Sequence, residues 1–460
     1  MLKAFFHSRD ERRVAGLIFI LFVSMSRRDG PIIATTEVIV VGAGISGLAA
    51  SRELRRRGKY DVIVIEGRDR IGGRIHSDAS SFPDVVIDLG AAWIHGMKNN
   101  PLVDIAKQCR AKTYRTDDDN IIMYNARGEE MRHDELEDAE GEFLRMLRGA
   151  EKYANGKNSD LSLRRALEGS AGTKNLLKPL IRFQLSSYLE YDFGAPASQL
   201  SAWYYDDDKE YKGGDVLFPD GGYIQLLQHI SRGIRIDMNV AVESIEYGKG
   251  SGVLIRTNRG TYKAKFAICT LPIGVLQAGD VKFHPPLPDP KIRALHRLGS
   301  GLVNKVILSF DACFWPETTQ YFGVCHDAPG EYSYFLNAKL FTGRNILVTV
   351  ALGDHARAVE AQSDRDVQAE VMRILRDVFD ANAPDPTRLL VTRWGQEVYS
   401  RGSYSYNKVG ATRKDFKVAA EPVDGVLFFA GEHTSADYRG SVHGAYLSGI
   451  RAAKELWDND

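Results

Sequence analysis

Residues 37–66 read EVIVVGAGISGLAASRELRRRGKYDVIVIE, and the order of residue types along them decides the fold. A β-branched run from Glu37 to Val41 ends in Gly42-Ala43-Gly44-Ile45-Ser46-Gly47. The stretch LAASRELRRRG follows, and a second apolar run, Asp61 to Ile65, ends in Glu66. Strand, glycine turn, helix and strand in this order form the unit that holds a dinucleotide diphosphate. Gly42 permits the tight turn, Gly44 lets the backbone approach a diphosphate, and Gly47 lets helix and strand pack closely. Ile45 and Ser46 begin the helix, whose free N–H groups face the phosphates. Glu66 stands nineteen residues beyond Gly47, at the end of the second strand, where a carboxylate accepts from both ribose hydroxyls.

Directly downstream, Arg68-Asp69-Arg70-Ile71-Gly72-Gly73-Arg74 adds a second glycine turn and an arginine. A nicotinamide site has no need of this extension. FAD needs further groups for its diphosphate and isoalloxazine, and Arg74 supplies a charge-assisted contact to the diphosphate. More than 150 residues later, Asn239 to Ile245 and Ala264 to Leu271 read as short buried strands. Val426 to Ala430 is another, followed by Gly431-Glu432 and a helical pattern from Ser441 to Leu456. The pieces of one nucleotide-binding sheet are therefore spread along the chain.

Composition agrees with a globular enzyme-sized chain: 460 residues, 44% hydrophobic and 26% charged, make two or three folding units. Sixty basic residues balance sixty acidic ones, so no global field attracts nucleic acid, and none is expected as a partner. Cys109, Cys269, Cys313 and Cys325 lie far apart without zinc spacing. No metal site is expected, and a Cys313–Cys325 bridge stays open.

The motifs resemble those of the flavin-containing amine oxidases, and within them the polyamine oxidases, from about Thr36 to Trp457. The likeness rests on VIVVGAGISGLAA (38–50), IEGRDRIGGRIHS (65–77), DLGAAWIHG (88–96) and LFFAGEHTSADYRGSVHGAYLSGIRAA (427–453), with LGSGLVNKVILSF (298–310) and TRWGQEVYSRGSYSY (392–406) between them. It implies an α/β fold, a Rossmann-like FAD-binding domain interleaved with a mixed α+β substrate-binding domain, of the amine oxidase and p-hydroxybenzoate hydroxylase type. Residues 35–115, 222–300 and 390–460 are assigned to the FAD domain, 116–221 and 301–389 to the substrate domain, and 1–34 to an N-terminal segment.

The resemblance also implies roles. Gly90, Ala91, Ala92 and Trp93 line the isoalloxazine, Val242 contacts adenine through its backbone, and Trp394 lies on the cofactor. Glu432 bonds a ribityl hydroxyl, and backbone donors near Val442 face the pyrimidine edge, where the helix dipole stabilises negative charge on the reduced ring. Lys305 matches the lysine that holds a water at flavin N5, with a pKa depressed by burial. Tyr404 matches one wall of an amine-guiding aromatic cage. Ser441 stands where many relatives carry the tyrosine of the other wall, so the cage is opened or rebuilt. Ser403 replaces the cysteine through which monoamine oxidases bond FAD, so the FAD is expected to be non-covalent. His95 is read as a neutral imidazole that contacts substrate and accepts a proton from an ammonium group. Polyamines need carboxylates at matching spacings; Glu190 and Asp192 are the candidates, with Asp206, Asp207, Asp208 and Glu210 as an acidic loop.

The expected reaction takes hydride from a carbon beside nitrogen of spermine or spermidine, yields an imine that water hydrolyses to an aldehyde, and ends with reoxidation by O2 to H2O2. A monomer is expected, with the small amine and O2 as partners. An L-amino acid oxidase, with Arg182 to bind the substrate carboxylate, is the alternative; a flavin-binding interaction protein without turnover is another. A chromatin amine oxidase would need an added helical domain and a long insert, for which 460 residues leave no room. Finally, Val14 to Met25 (VAGLIFILFVSM) follows Arg12-Arg13 and is too short to span a bilayer of roughly 30 Å. It reads as a signal-peptide core with small residues at Ser24 and Ser26, so the expectation is secretion with no membrane span in the mature chain, and a cytoplasmic location is the alternative.

Overall fold

The run ending at Val41 is the buried end of a ten-residue strand, Ile32–Val41, in a computed structural model that describes residues 31–326 and 331–460. The segment read as a signal-peptide core lies outside the described residues. Val38 to Val41 pair in parallel with Val62–Ile65 on one side and with the end of Gly260–Cys269 on the other. Strands buried on both faces read as continuous apolar runs, which is why VIVV and VIVI carry no polar alternation.

These strands belong to an eight-stranded sheet in the order 282–284, 242–248, 252–257, 260–269, 32–41, 62–65, 235–237, with Leu427–Phe429 also paired to 260–269. The long strand Gly260–Cys269 makes an antiparallel hairpin with Gly252–Thr257 through its first half, and its last residues pair in parallel with Leu427–Phe429. That branch brings residues more than 380 positions apart to the same edge as the glycine turn. The strand read from Asn239 begins instead at Val242, because Asn239 has φ +58° and cannot sit in an extended run.

Helices Ile45–Arg56 and Val442–Asn459 pack closely on this sheet. Gly449 allows their approach: a Cβ there would lie 2.1 Å from the Ser46 carbonyl oxygen. A second sheet has the order 388–391, 303–309, 346–352, 334–337, 321–324, 121–124. Its strand Val303–Ser309 turns Asn304 and Lys305 to opposite faces, as the two-residue period requires. A helical layer, which includes His133–Asn155, Leu163–Ala171 and Pro179–Gln184, has its own core around Phe143, Leu167 and Leu189. A short antiparallel ladder, Gly299–Gly301 with Tyr404–Tyr406, ties the layers together beside Lys305. All four cysteines are free thiols, Cys313 and Cys325 included. Among the described residues no helix is long and apolar enough to cross a membrane.

Candidate active site

The carboxyl ends of strands 32–41, 62–65 and 260–269 open into a cavity of about 420 Å³, the position where open α/β sheets bind ligands. Gly42, Gly44, Ile45, Ser46, Glu66, Arg74, Gly90 to Trp93, Val242, Trp394, Glu432 and Val442 all line it, as do Lys305, Asp192, Tyr404 and Ser441. Gly47 stands behind the wall, where a Cβ would meet the Gly42 carbonyl oxygen at 2.0 Å. Gly44 differs. A Cβ on it would find no protein atom nearer than 3.9 Å, so the missing side chain leaves a cradle that only a ligand fills. Together with the uncapped N-terminus of helix Ile45–Arg56, this cradle fits a diphosphate.

Glu66 is organised by the turn: one carboxylate oxygen accepts from Ala43 N at 2.8 Å and the other from Arg68 N at 3.0 Å, leaving further lone pairs for ribose. Arg74 donates to the Ser403 carbonyl and to Glu432, both at 2.8 Å. The other oxygen of Glu432 accepts from Ser405 Oγ at 2.5 Å and Gly440 N at 2.9 Å. Burial opposes the Glu432 charge, but Arg74 and its other partners outweigh it and hold its pKa below the usual range. Arg74 therefore enters the site already paired, and Glu432 is first an organiser of the second glycine turn and the C-terminal segment.

Lys305 Nζ donates to the carbonyl oxygens of Asp88 and Gly90 at 2.7 and 2.8 Å and lies 5.8 Å from the Trp93 ring centroid. Burial lowers its pKa to about 8 against the attraction of Asp88. Two of its three N–H donors are used, and the third is available to the cavity. Asp88, which sequence reasoning missed as a charge, is pushed up to about 6 by burial, against bonds from Ser77 and Tyr223 N. It lies in the quoted DLGAAWIHG segment, yet nothing in that string marks it as half-buried behind a lysine.

A second cavity of about 1120 Å³ adjoins the first, sharing Trp93, Tyr191, Asp192 and Ser441. Asp118, Asp119, Glu137, Glu140, Asp192, Asp206, Asp208, Glu210 and Asp215 are among its lining residues. Tyr211 and Tyr438 stack in its wall with ring centroids 5.0 Å apart, and His443 meets both edge-on. His95 belongs to this cavity. Its ring keeps 63% of its surface accessible, but within the enclosure, and Nδ1 lies 2.6 Å from Asp215 Oδ2. Burial disfavours the charged ring, but the Asp215 bond and charge prevail and raise the pKa. The sequence reading took this ring as neutral; its bond to Asp215 shifts the balance toward the charged form. Asp215 was missed because 120 residues separate the partners.

Two of the substrate candidates part company. Asp192 lines both cavities. Glu190 lines neither; its carboxylate turns back onto Ala197 N at 3.3 Å and Ser186 Oγ at 3.4 Å. Of the acidic loop, Asp207 and Asp208 are paired with buried Arg439. Ser441 caps helix Val442–Asn459, accepting from Gly444 N at 3.0 Å and donating to Tyr438 O at 2.8 Å, which is a structural reason for serine there. Tyr404 is fixed by a 2.5 Å hydrogen bond from its hydroxyl to the Tyr191 carbonyl.

A glycine cradle for a diphosphate, continuous with an acidic, aromatic chamber beside a half-buried lysine, fits a flavin-dependent oxidoreductase of amines. The family model for flavin containing amine oxidoreductases matches residues 45–456. The chain belongs to that family, and its cofactor is FAD. Polyamine oxidase 4 of Oryza sativa subsp. japonica is 37% identical over 436 residues, covering 91% of this chain and 88% of that one. Polyamine oxidase 2 of Arabidopsis thaliana is 36% identical over 444 residues, covering 91% and 87%. Lysine-specific histone demethylase 1 homolog 2 of Arabidopsis thaliana is 35% identical over 439 residues, and the match covers 91% of this chain but 58% of that protein. Wild-type putrescine oxidase bound to putrescine superposes with a TM-score of 0.76 at 20% identity, covering 93% of this chain and 100% of that one, which shows the common fold.

Proposed function

We propose that the protein is a polyamine oxidase that acts on spermine- or spermidine-type amines with dioxygen and water, forming an aldehyde, a shorter amine and hydrogen peroxide. The observation that carries this reading is the larger cavity, whose many carboxylates meet the cofactor cavity at Asp192. An elongated polycation gains from such a lining along its whole length. FAD, when bound, supplies the acceptor for the two electrons of the C–H bond. The chain's own residues do the rest: Tyr404 and Trp93 wall the approach, and the remaining N–H of Lys305 faces the cofactor cavity, where it would hold a water. We also take the FAD to be non-covalent, since Ser403 stands at the linking position with its hydroxyl engaged by the Val303 backbone.

The cleavage register follows from His95. Paired with Asp215, it adds no uncompensated negative charge beside Trp93, so no terminal ammonium is drawn one step further along the chamber. Oxidation then falls on the aminopropyl carbon, on the outer side of the secondary nitrogen, and spermine gives spermidine and 3-aminopropanal. Chromatography of the spermine reaction tests this: accumulation of 1,3-diaminopropane contradicts the register, and absence of any turnover contradicts the polyamine assignment. Secretion is proposed on the run Val14–Met25, and the N-terminal sequence of the mature protein from its host tests it.

The size of the larger cavity, about 1120 Å³, favours one second reading: a methylated lysine on a basic peptide, in keeping with the demethylase relatives. Turnover of a methyl-lysine peptide with none of spermine would select it. An L-amino acid oxidase is less well supported. Arg182 lines neither cavity, and Arg439, in the larger one, is paired with two aspartates.

A further inference from the structure

Asp192 is the acid that reaches the cofactor cavity from the larger one. Its carboxylate makes no hydrogen bond or ion pair to another described residue, whereas Glu190, two positions earlier, is tied down on the far side. Its place is fixed from behind. It follows a π-helical segment, Leu185–Glu190, and its neighbour Tyr191 receives the Tyr404 hydroxyl bond through the backbone. π-Helical turns of this kind re-aim side chains and recur at functional sites.

We propose that Asp192 is the proton acceptor for the substrate: it takes the proton from the ammonium nitrogen beside the reacting carbon. The N–H bond breaks, its electron pair stays on nitrogen, and the proton passes to a carboxylate oxygen of Asp192. The amine thereby regains the lone pair that loss of hydride from the adjacent carbon requires. This inference rests on the polyamine reading and adds a residue and a step to it.

The other groups around the junction are excluded by their partners. Lys305 donates to two carbonyls and carries no lone pair when charged. His95 is held towards imidazolium by Asp215. Tyr191 and Tyr404 are kept protonated by burial. Asp208 is paired with Arg439, and Asp206 and Glu210 line only the larger cavity. Asp192 is exposed, but to the enclosed chamber; desolvation there and the nearby Glu210, Asp206 and Asp208 raise its pKa to about 7 against the pull of His95. A base in that range is half available at neutral pH and strong enough to accept.

The test is the limiting rate of flavin reduction by spermine in oxygen-free holoenzyme, measured across pH for the wild type, Asp192→Asn and Asp192→Glu. Flavin content and melting temperature serve as controls for folding. The wild-type rate is expected to rise through an ionisation near 7. Asp192→Asn should be about 100-fold slower at neutral pH and should lose that limb, and Asp192→Glu should restore it. As an independent readout, the infrared band of a protonated carboxylic acid should appear when spermine is added to the wild type and not to Asp192→Asn. A variant Asp192→Asn with the wild-type rate and limb overturns the inference while leaving the polyamine reading intact. Failure of the wild type to be reduced by any polyamine overturns both.

Discussion

His95 Nδ1 lies 2.6 Å from Asp215 Oδ2, so the histidine beside the Trp93 segment is hydrogen-bonded to a carboxylate that favours its charged form. Burial alone would lower its pKa, and Asp215 reverses the sign. Since the folded-state pKa is raised, the stabilising contribution of the protonated ring is complete below the unfolded value and is lost as pH rises through the folded one. Asp215→Asn should therefore lower the His95 pKa. Histidine NMR titration of the wild type and the variant checks this, and an unmoved His95 resonance would show that Asp215 does not set its charge.

Two glycines three positions apart should fail in different ways. Gly44 has φ −72° and open space around it, so Gly44→Ala should fold normally and lose FAD. Gly47→Ala places a methyl 2.0 Å from a backbone oxygen and should cost at least about 3 kcal/mol of stability. Flavin absorbance and thermal melting of the two variants separate these outcomes. Retention of FAD by Gly44→Ala would contradict the cradle.

Lys305→Met should keep FAD bound and slow turnover by about 100-fold, since the lysine reaches the cavity and does not anchor the cofactor. Removing the ammonium also strips the attraction that opposes burial at Asp88, so the Asp88 pKa rises further from about 6. Stopped-flow rates of reduction and reoxidation measure the kinetic part. Wild-type values for both would remove Lys305 from the mechanism.

Ser441 joins cap and cavity wall in one residue. Ser441→Ala should cost about 1 kcal/mol through the lost cap, and Ser441→Tyr should carry the same loss while narrowing the junction of the two cavities. Equilibrium denaturation gives the first quantity and the spermine KM of Ser441→Tyr the second. A variant Ser441→Ala as stable as the wild type would deny the cap any weight.

Much of the cofactor half was legible because its signals are local. The glycine turn, Glu66 and the strands VIVV and VIVI each declare their chemistry within a few residues, and all converge on one cavity. The substrate half was not, because its charges find partners across the fold. Asp215 meets His95 over 120 positions, and Arg439 meets Asp207 over 232. Glu190 and Asp192 mark the boundary of what spacing can say: residues two apart on a helix do not share a face, so both could not line one tunnel, but only the fold decides that Asp192 is the one that does.

The most direct test of the account is the visible spectrum of the purified yellow protein mixed with spermine, without oxygen, beside parallel mixtures with spermidine, leucine and a methyl-lysine peptide. Rapid bleaching of the flavin by the polyamines is expected, and none by leucine or the peptide. A flavin bleached by leucine or by the peptide while spermine leaves it unchanged would contradict it.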